Sequence, residues 1–96
     1  MTRTTKFDAA DYITTAEDVI ASLEVAFEDG DPAIIQATLG DIARSRGMTE
    51  VAKGAGVTRE ALYKALSPKG DPRLSTLLGV MKALGLHLTV APNKVA

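Results

Sequence analysis

Residues 48–67 read "MTEVAKGAGVTREALYKALS", and how they fold decides how the rest of the chain is read. Two short apolar-patterned segments, about 49–55 and 58–66, flank Gly56, with Thr49 and Thr58 standing where helix N-caps belong. Taken as two helices crossing steeply, Ala52 sits where the backbones approach and only a small side chain fits. Gly56 opens the turn, where a positive φ is needed, and Val57 returns to the core. Val51, Val57, Ala61, Leu62, Ala65 and Leu66 then face inward, leaving Thr58, Arg59, Glu60, Tyr63 and Lys64 outward near the start of the second helix.

Those outward side chains suit nucleic acid. Arg59 can fork onto guanine O6 and N7, Glu60 can accept from cytosine N4, Thr58 and Lys64 can hold phosphate, and Tyr63 can do either. An exposed helix face is also the ordinary place for Arg, Lys and Glu in water, so the spacing and the flanking elements must carry the distinction.

Outward from this unit, the flanks are helical. "TAED" starts a helix with Thr15 as cap and Asp18 as its capping-box-like partner, and Val19, Leu23 and Phe27 recur at helical spacing with Ile20 and Ala26 beside them. Glu17, Glu24 and Glu28 fall elsewhere on the cylinder, giving an acid-faced helix that ends at Gly30. "DGDP" opens a second helix over about 32–46, with Asp31 as N-cap and Pro32 at the first helical position. Ile35, Leu39, Ile42 and Ala43 form its stripe, Arg44 and Arg46 suit its C-terminal end, and Gly47 closes it. After the breaker-rich "SPKGDP", Leu74, Leu77, Leu78, Met81 and Leu84 predict a fifth helix closed by Gly85. "LHLTVAP" alternates, placing Leu86, Leu88 and Val90 opposite His87 and Thr89, which predicts a short strand over 86–91. A lone strand leaves its backbone groups unpaired, so it is expected to join the same strand of a second copy, with an extended segment lying on the helices or a frayed tail as the alternative.

Composition agrees with a mainly α chain of one domain. There are 96 residues, aromatics make up 4%, and cysteine is absent, which removes disulfides, thiolate metal sites and a cysteine nucleophile. The start "MTRTTKFDAADY" lacks a signal-peptide apolar core, and no apolar run is long enough for a bilayer, so a cytoplasmic protein without membrane partners is expected. Charge is uneven. Residues 7–41 hold nine acidic side chains and no Lys or Arg, whereas residues 44–73 hold seven basic against three acidic. Such asymmetry suggests one surface for an anionic polymer and another for a basic partner, unless both are ordinary solvated faces.

The spacing within residues 48–67 resembles the helix-turn-helix of the Cro and phage-repressor class. From "FDAADYITT" through "GLHLTV", most specifically in "GDPAIIQATLGDIARSRGM" and "TREALYKALSPKGDPRLSTLLGVMKALGL", nearly the whole chain is similar to the addiction-module antidote family, HigA-like antitoxins of bacterial toxin–antitoxin operons. That resemblance implies a RelE-type ribonuclease toxin as partner, neutralised by the chain. It also implies repression of the shared promoter by a dimer whose DNA-contacting set would be Thr49, Lys53, Thr58, Arg59, Glu60, Tyr63, Lys64 and Lys69. One residue departs from the Cro-like pattern: Glu50 stands where a glutamine commonly supports a phosphate contact, and a carboxylate repels DNA.

The expectation is therefore a five-helix bundle with a helix-turn-helix and a C-terminal strand. Along one domain spanning 1–96 it places an N-terminal segment (1–14), an acidic helix (15–30), the helix-turn-helix core (32–85) and the strand. No enzyme is expected. Glu28, Asp29, Asp31 and Asp41 are explained by capping and solvation, and His87 is the only histidine, so neither a zinc site nor a triad forms. Gly54, Gly56 and Gly70 make no phosphate loop because no strand precedes them, so no cofactor is expected. A stand-alone dimeric repressor without a toxin, and a protein-interaction module that leaves DNA alone, are the other readings.

Overall fold

A computed structural model of the chain describes residues 15–93; the expected N-terminal segment 1–14 lies outside the described residues. Five helices follow in order: α1 (Ala16–Asp29), α2 (Pro32–Arg46), α3 (Met48–Ala55), α4 (Arg59–Ala65) and α5 (Leu74–Ala83). Local chemistry sets most of the boundaries. Thr15 Oγ1 accepts from the Asp18 amide at 3.0 Å, Asp31 Oδ1 from the Ala33 amide at 2.9 Å, and Thr58 Oγ1 from the Ala61 amide at 3.0 Å. Gly30 ends α1 in the left-handed conformation, at φ 80°.

The start of α3 differs from the sequence reading. Gly47, not Thr49, is its N-cap, and no side chain caps the helix. The Gly47 amide donates to the Ala43 carbonyl to finish α2, while its own carbonyl accepts from Val51 to begin α3. At φ 117° this glycine joins the two helices without an intervening loop, so Thr49 falls inside the first turn with its side chain exposed.

All five helices contribute to one core. Val19 and Leu23 come from α1, Leu39, Ile42 and Ala43 from α2, Met48, Val51 and Ala52 from α3, Leu62 from α4, and Val80 and Met81 from α5, with Leu66 and Leu84 just past the helix ends. Helix α5 is rotated relative to the expected stripe. Leu77, Val80, Met81 and Leu84 line the core side, whereas Leu74 and Leu78 are 66% and 44% exposed. The cause is close backbone packing of α5 on α3. A Cβ on Gly79 would lie 3.0 Å from the Ala55 Cα and carbonyl oxygen, and one on Gly54 would lie 2.7 Å from the Ala83 Cβ. These contacts fix which side of α5 faces inward. Ala61, expected inside, is exposed, because Leu62 fills the position under the α3–α4 turn.

The strand expected at 86–91 does not form. Among the described residues there is no strand, and residues 86–93 run without regular secondary structure. The Leu86 amide donates to the Met81 carbonyl, and Leu86 and Leu88 pack on the core while His87 and Thr89 face out. The alternation therefore reports an extended segment with two faces, and a strand needs a backbone partner that one chain does not provide.

Candidate functional site

The expected site residues are gathered by the turn between α3 and α4. Gly56 adopts φ 74°, its amide donating to the Lys53 carbonyl, and the Val57 amide donates to the Ala52 carbonyl, folding the chain back on the end of α3. Val57 is half-buried against the core, and Thr58 then caps α4. Because Leu62 is fully buried on one side of α4, residues 60 and 64 point to the opposite side and 63 to the flank, while Arg59 lies at the edge of the buried side in the first turn. Arg59, Glu60, Tyr63 and Lys64 are indeed exposed, as is Thr58.

Arg59 is not free-swinging on that face. Its guanidinium lies 5.5 Å from the centroid of the Tyr63 ring, one helical turn on, and its Nη2 donates to Tyr63 Oη at 3.4 Å. The contact with Tyr63 raises the Arg59 pKa above its ordinary value, with neighbouring Glu60 adding to the effect, so the side chain is cationic at every relevant pH. The Thr58 hydroxyl accepts the cap bond from Ala61 and keeps its own proton to donate outward.

Beside this pair lies a shallow depression of about 370 Å³, lined by Gly47, Met48, Thr49, Glu50, Arg59, Tyr63 and Arg44. It brings Thr49 at the start of α3 together with Arg59 and Tyr63 of α4. The Glu50 carboxylate sits among the same groups and opposes an anion there. Lys53 on α3, Lys64 on α4 and Lys69 in the following loop are exposed and do not line the depression. Arg44 was not among the sequence candidates. Its Nη2 donates to Asp41 Oδ1, one turn back on α2, an arrangement that only the tertiary approach of α2 to α4 places at the rim.

Sequence reasoning also missed Gln36, the buried polar residue of α2. Its Nε2 faces the carbonyls of Ala65, Ser67 and Gly70 at 3.2, 3.4 and 2.5 Å, tying the loop after α4 to α2. Gly70 fits because a Cβ there would lie 2.3 Å from the carbonyl oxygens of Lys64 and Ala65. The loop carrying Lys69 is thus held close to the end of α4. Its signal in the sequence was a lone glutamine on the inner face of a helix, at i+1 from Ile35 and i−3 from Leu39.

No group of three or more His, Asp or Glu side chains among the described residues is placed to hold a metal ion, and no helix there is long and apolar enough to cross a membrane.

Residues 3–92 match the sequence model of a family described as "probable addiction module antidote protein". A protein of Haemophilus influenzae strain KW20, itself uncharacterized, is 41% identical over 90 residues, which is 94% of this chain and 93% of that protein. No solved structure matches the chain.

Proposed function

The chain belongs to the family of probable addiction module antidote proteins, and we propose that it is a HigA-like antitoxin of a type II toxin–antitoxin module. An antitoxin role and a toxin partner come with the family. In the finer reading the toxin is a RelE-type ribonuclease, bound and neutralised by this chain in the cytoplasm. The chain also represses its own operon as a homodimer, and it works by binding, with no catalysis or cofactor of its own.

The observation that carries the DNA-binding part is the outward face of α4. Arg59 is ordered on Tyr63 beside the depression at the start of α3, with Lys53, Lys64 and Lys69 exposed around it. In this reading α3, the Gly56 turn and α4 act as a helix-turn-helix of the Cro and phage-repressor kind. Helix α4 enters the major groove, where Arg59 reads guanine and Glu60 reads cytosine. Thr49, Lys53, Thr58, Lys64 and Lys69 hold backbone phosphates, and Tyr63 both holds Arg59 and reaches the DNA. A pre-stacked Arg59 loses less rotamer freedom on binding, which favours a base-reading role over a purely solvated one. A dimer sets two such helices about 34 Å apart, one turn of DNA.

Co-expression with the product of the adjacent gene, followed by co-purification and a shift assay on the operon's promoter, tests the reading. A complex that shifts the promoter, with the adjacent protein toxic when alone, supports it. A promoter shift with neither complex nor toxicity leaves a stand-alone dimeric repressor. A complex without salt-sensitive DNA binding leaves a protein-interaction module.

A further inference from the structure

On the side of the molecule formed by α1, a second surface is built quite differently. Val19, Leu23 and Ala26 turn one side of α1 to the core, yet the opposite side carries Ile20 at 43% and Val25 at 68% exposure. Between these two lie Glu24 and Glu28, and α1 contains five acidic residues and no Lys or Arg. The extended segment near the C-terminus runs alongside. Together they bound an open groove of about 1000 Å³ whose walls include Ala21, Glu24, Val25 and Phe27 on one side and Ala91 and Pro92 on the other.

Two features decide what this groove can take. Its walls include Val25, Phe27, Ala91 and Pro92, and exposed Ile20 stands one turn before Glu24 on the same helix, so an occupant gains by burying apolar side chains in the groove and over its Ile20 flank, at roughly 25 cal/mol per Å². Among the described residues the charged side chains lining it are the carboxylates Glu24 and Glu28, on a helix that carries no Lys or Arg, so it favours a cationic occupant. The outer face of α3 and α4, with Lys53, Arg59, Lys64 and Lys69, has the opposite preference. A cationic polypeptide is thus drawn to α1 and repelled from α4, and an anionic polymer is sorted the other way.

We infer that the groove between α1 and the segment 89–93 is where the toxin docks, through a segment of its chain that is basic and apolar on one side. This rests on the toxin-binding reading above and adds the surface and its chemistry to it.

The test measures affinity of the purified adjacent-gene product for the full-length chain at low and high salt. Two variants alter exposed residues only: Glu24→Lys, and the double substitution Ile20→Ser with Val25→Ser. Circular dichroism melts verify folding, and Arg59→Ala serves as the comparison on the other face. If the groove is the docking surface, Glu24→Lys weakens binding at least about tenfold at low salt, with the loss shrinking at high salt as screening sets in. The serine pair weakens binding about as much at both salt levels, because an apolar contact is not screened, while Arg59→Ala leaves toxin affinity unchanged. Folded variants of both kinds that bind as the unaltered chain does would overturn the docking surface. If the unaltered chain binds no such protein, the toxin reading itself fails, a result that needs no variant to recognise.

Discussion

Arg59 and Lys64 are both exposed on α4 but are held differently, and that difference predicts different roles. Arg59 has its guanidinium fixed over Tyr63, whereas Lys64 is an exposed point charge at the other end of the helix. Arg59→Ala is expected to cost about 1–3 kcal/mol on the operator and to relax one base position, with little effect on random DNA. Lys64→Ala should weaken all sequences alike and reduce the salt slope by about one phosphate's worth. Titrations on operator and random duplexes at two salt concentrations separate the two, and equal losses on both duplexes for Arg59→Ala would remove its base-reading role. Gln36 is a residue-scale prediction of another kind, for stability. Gln36→Ala removes the amide that faces three carbonyls and leaves those acceptors beside a cavity, which should cost about 1–3 kcal/mol. In a domain of this size each kcal/mol corresponds to about 4–8 °C in Tm, so a thermal melt resolves it.

At the scale of elements, two helix glycines should respond oppositely to the same substitution. Gly→Ala inside a helix normally stabilises by about 0.5–1 kcal/mol, because alanine has less backbone freedom to lose. At Gly40 of α2 a new Cβ meets nothing nearer than 3.8 Å, so Gly40→Ala should raise Tm. At Gly79 of α5 it would meet the Ala55 backbone at 3.0 Å, where neither helix can yield without parting α3 from α5, so Gly79→Ala should lower Tm. Parallel melts of the two variants check the sign, and a rise at both positions would mean the α3–α5 contact yields enough to admit a methyl group. The same contact explains what the sequence made legible and what it did not. Caps at Thr15, Asp31 and Thr58, and the turns at Gly30 and Gly56, are local chemistry, and helix boundaries near them could be read directly. The rotation of α5 toward Val80 and away from Leu74 and Leu78 depends on Gly79 meeting Ala55, a pairing 24 positions apart that no periodicity encodes. Gly47 as a shared cap and Ala61 on the surface likewise depend on how neighbouring helices meet. Of the candidate site, the outward face of α4 was legible because Leu62 and Val57 are visibly apolar. The gathering of Thr49, Arg44 and Tyr63 around one depression was not, since it needs α2, α3 and α4 in place.

For the whole molecule, the segment after α5 is the part left incomplete by a single chain. Leu86 and Leu88 pack on the core, but Val90, which continues their alternation, is 95% exposed. In the dimer proposed above, residues 86–91 of two copies pair antiparallel, supplying backbone partners to both and covering Val90. Val90→Asp then becomes a clean probe. The side chain touches little within its own chain, so the fold and Tm of the separate chain should hardly change, while in the paired ribbon a carboxylate at position 90 would be taken out of water against the other copy with no partner for its charge. Light scattering on a sizing column should find the unaltered chain as a dimer and the variant shifted to monomer at micromolar concentration. Operator affinity should fall with it, because a monomer engages one half-site and loses the effective-concentration gain of the linked second one. A variant that stays dimeric and keeps full operator affinity would place the two-fold contact elsewhere on the molecule, and residues 86–93 would then be only a strap laid along the helices.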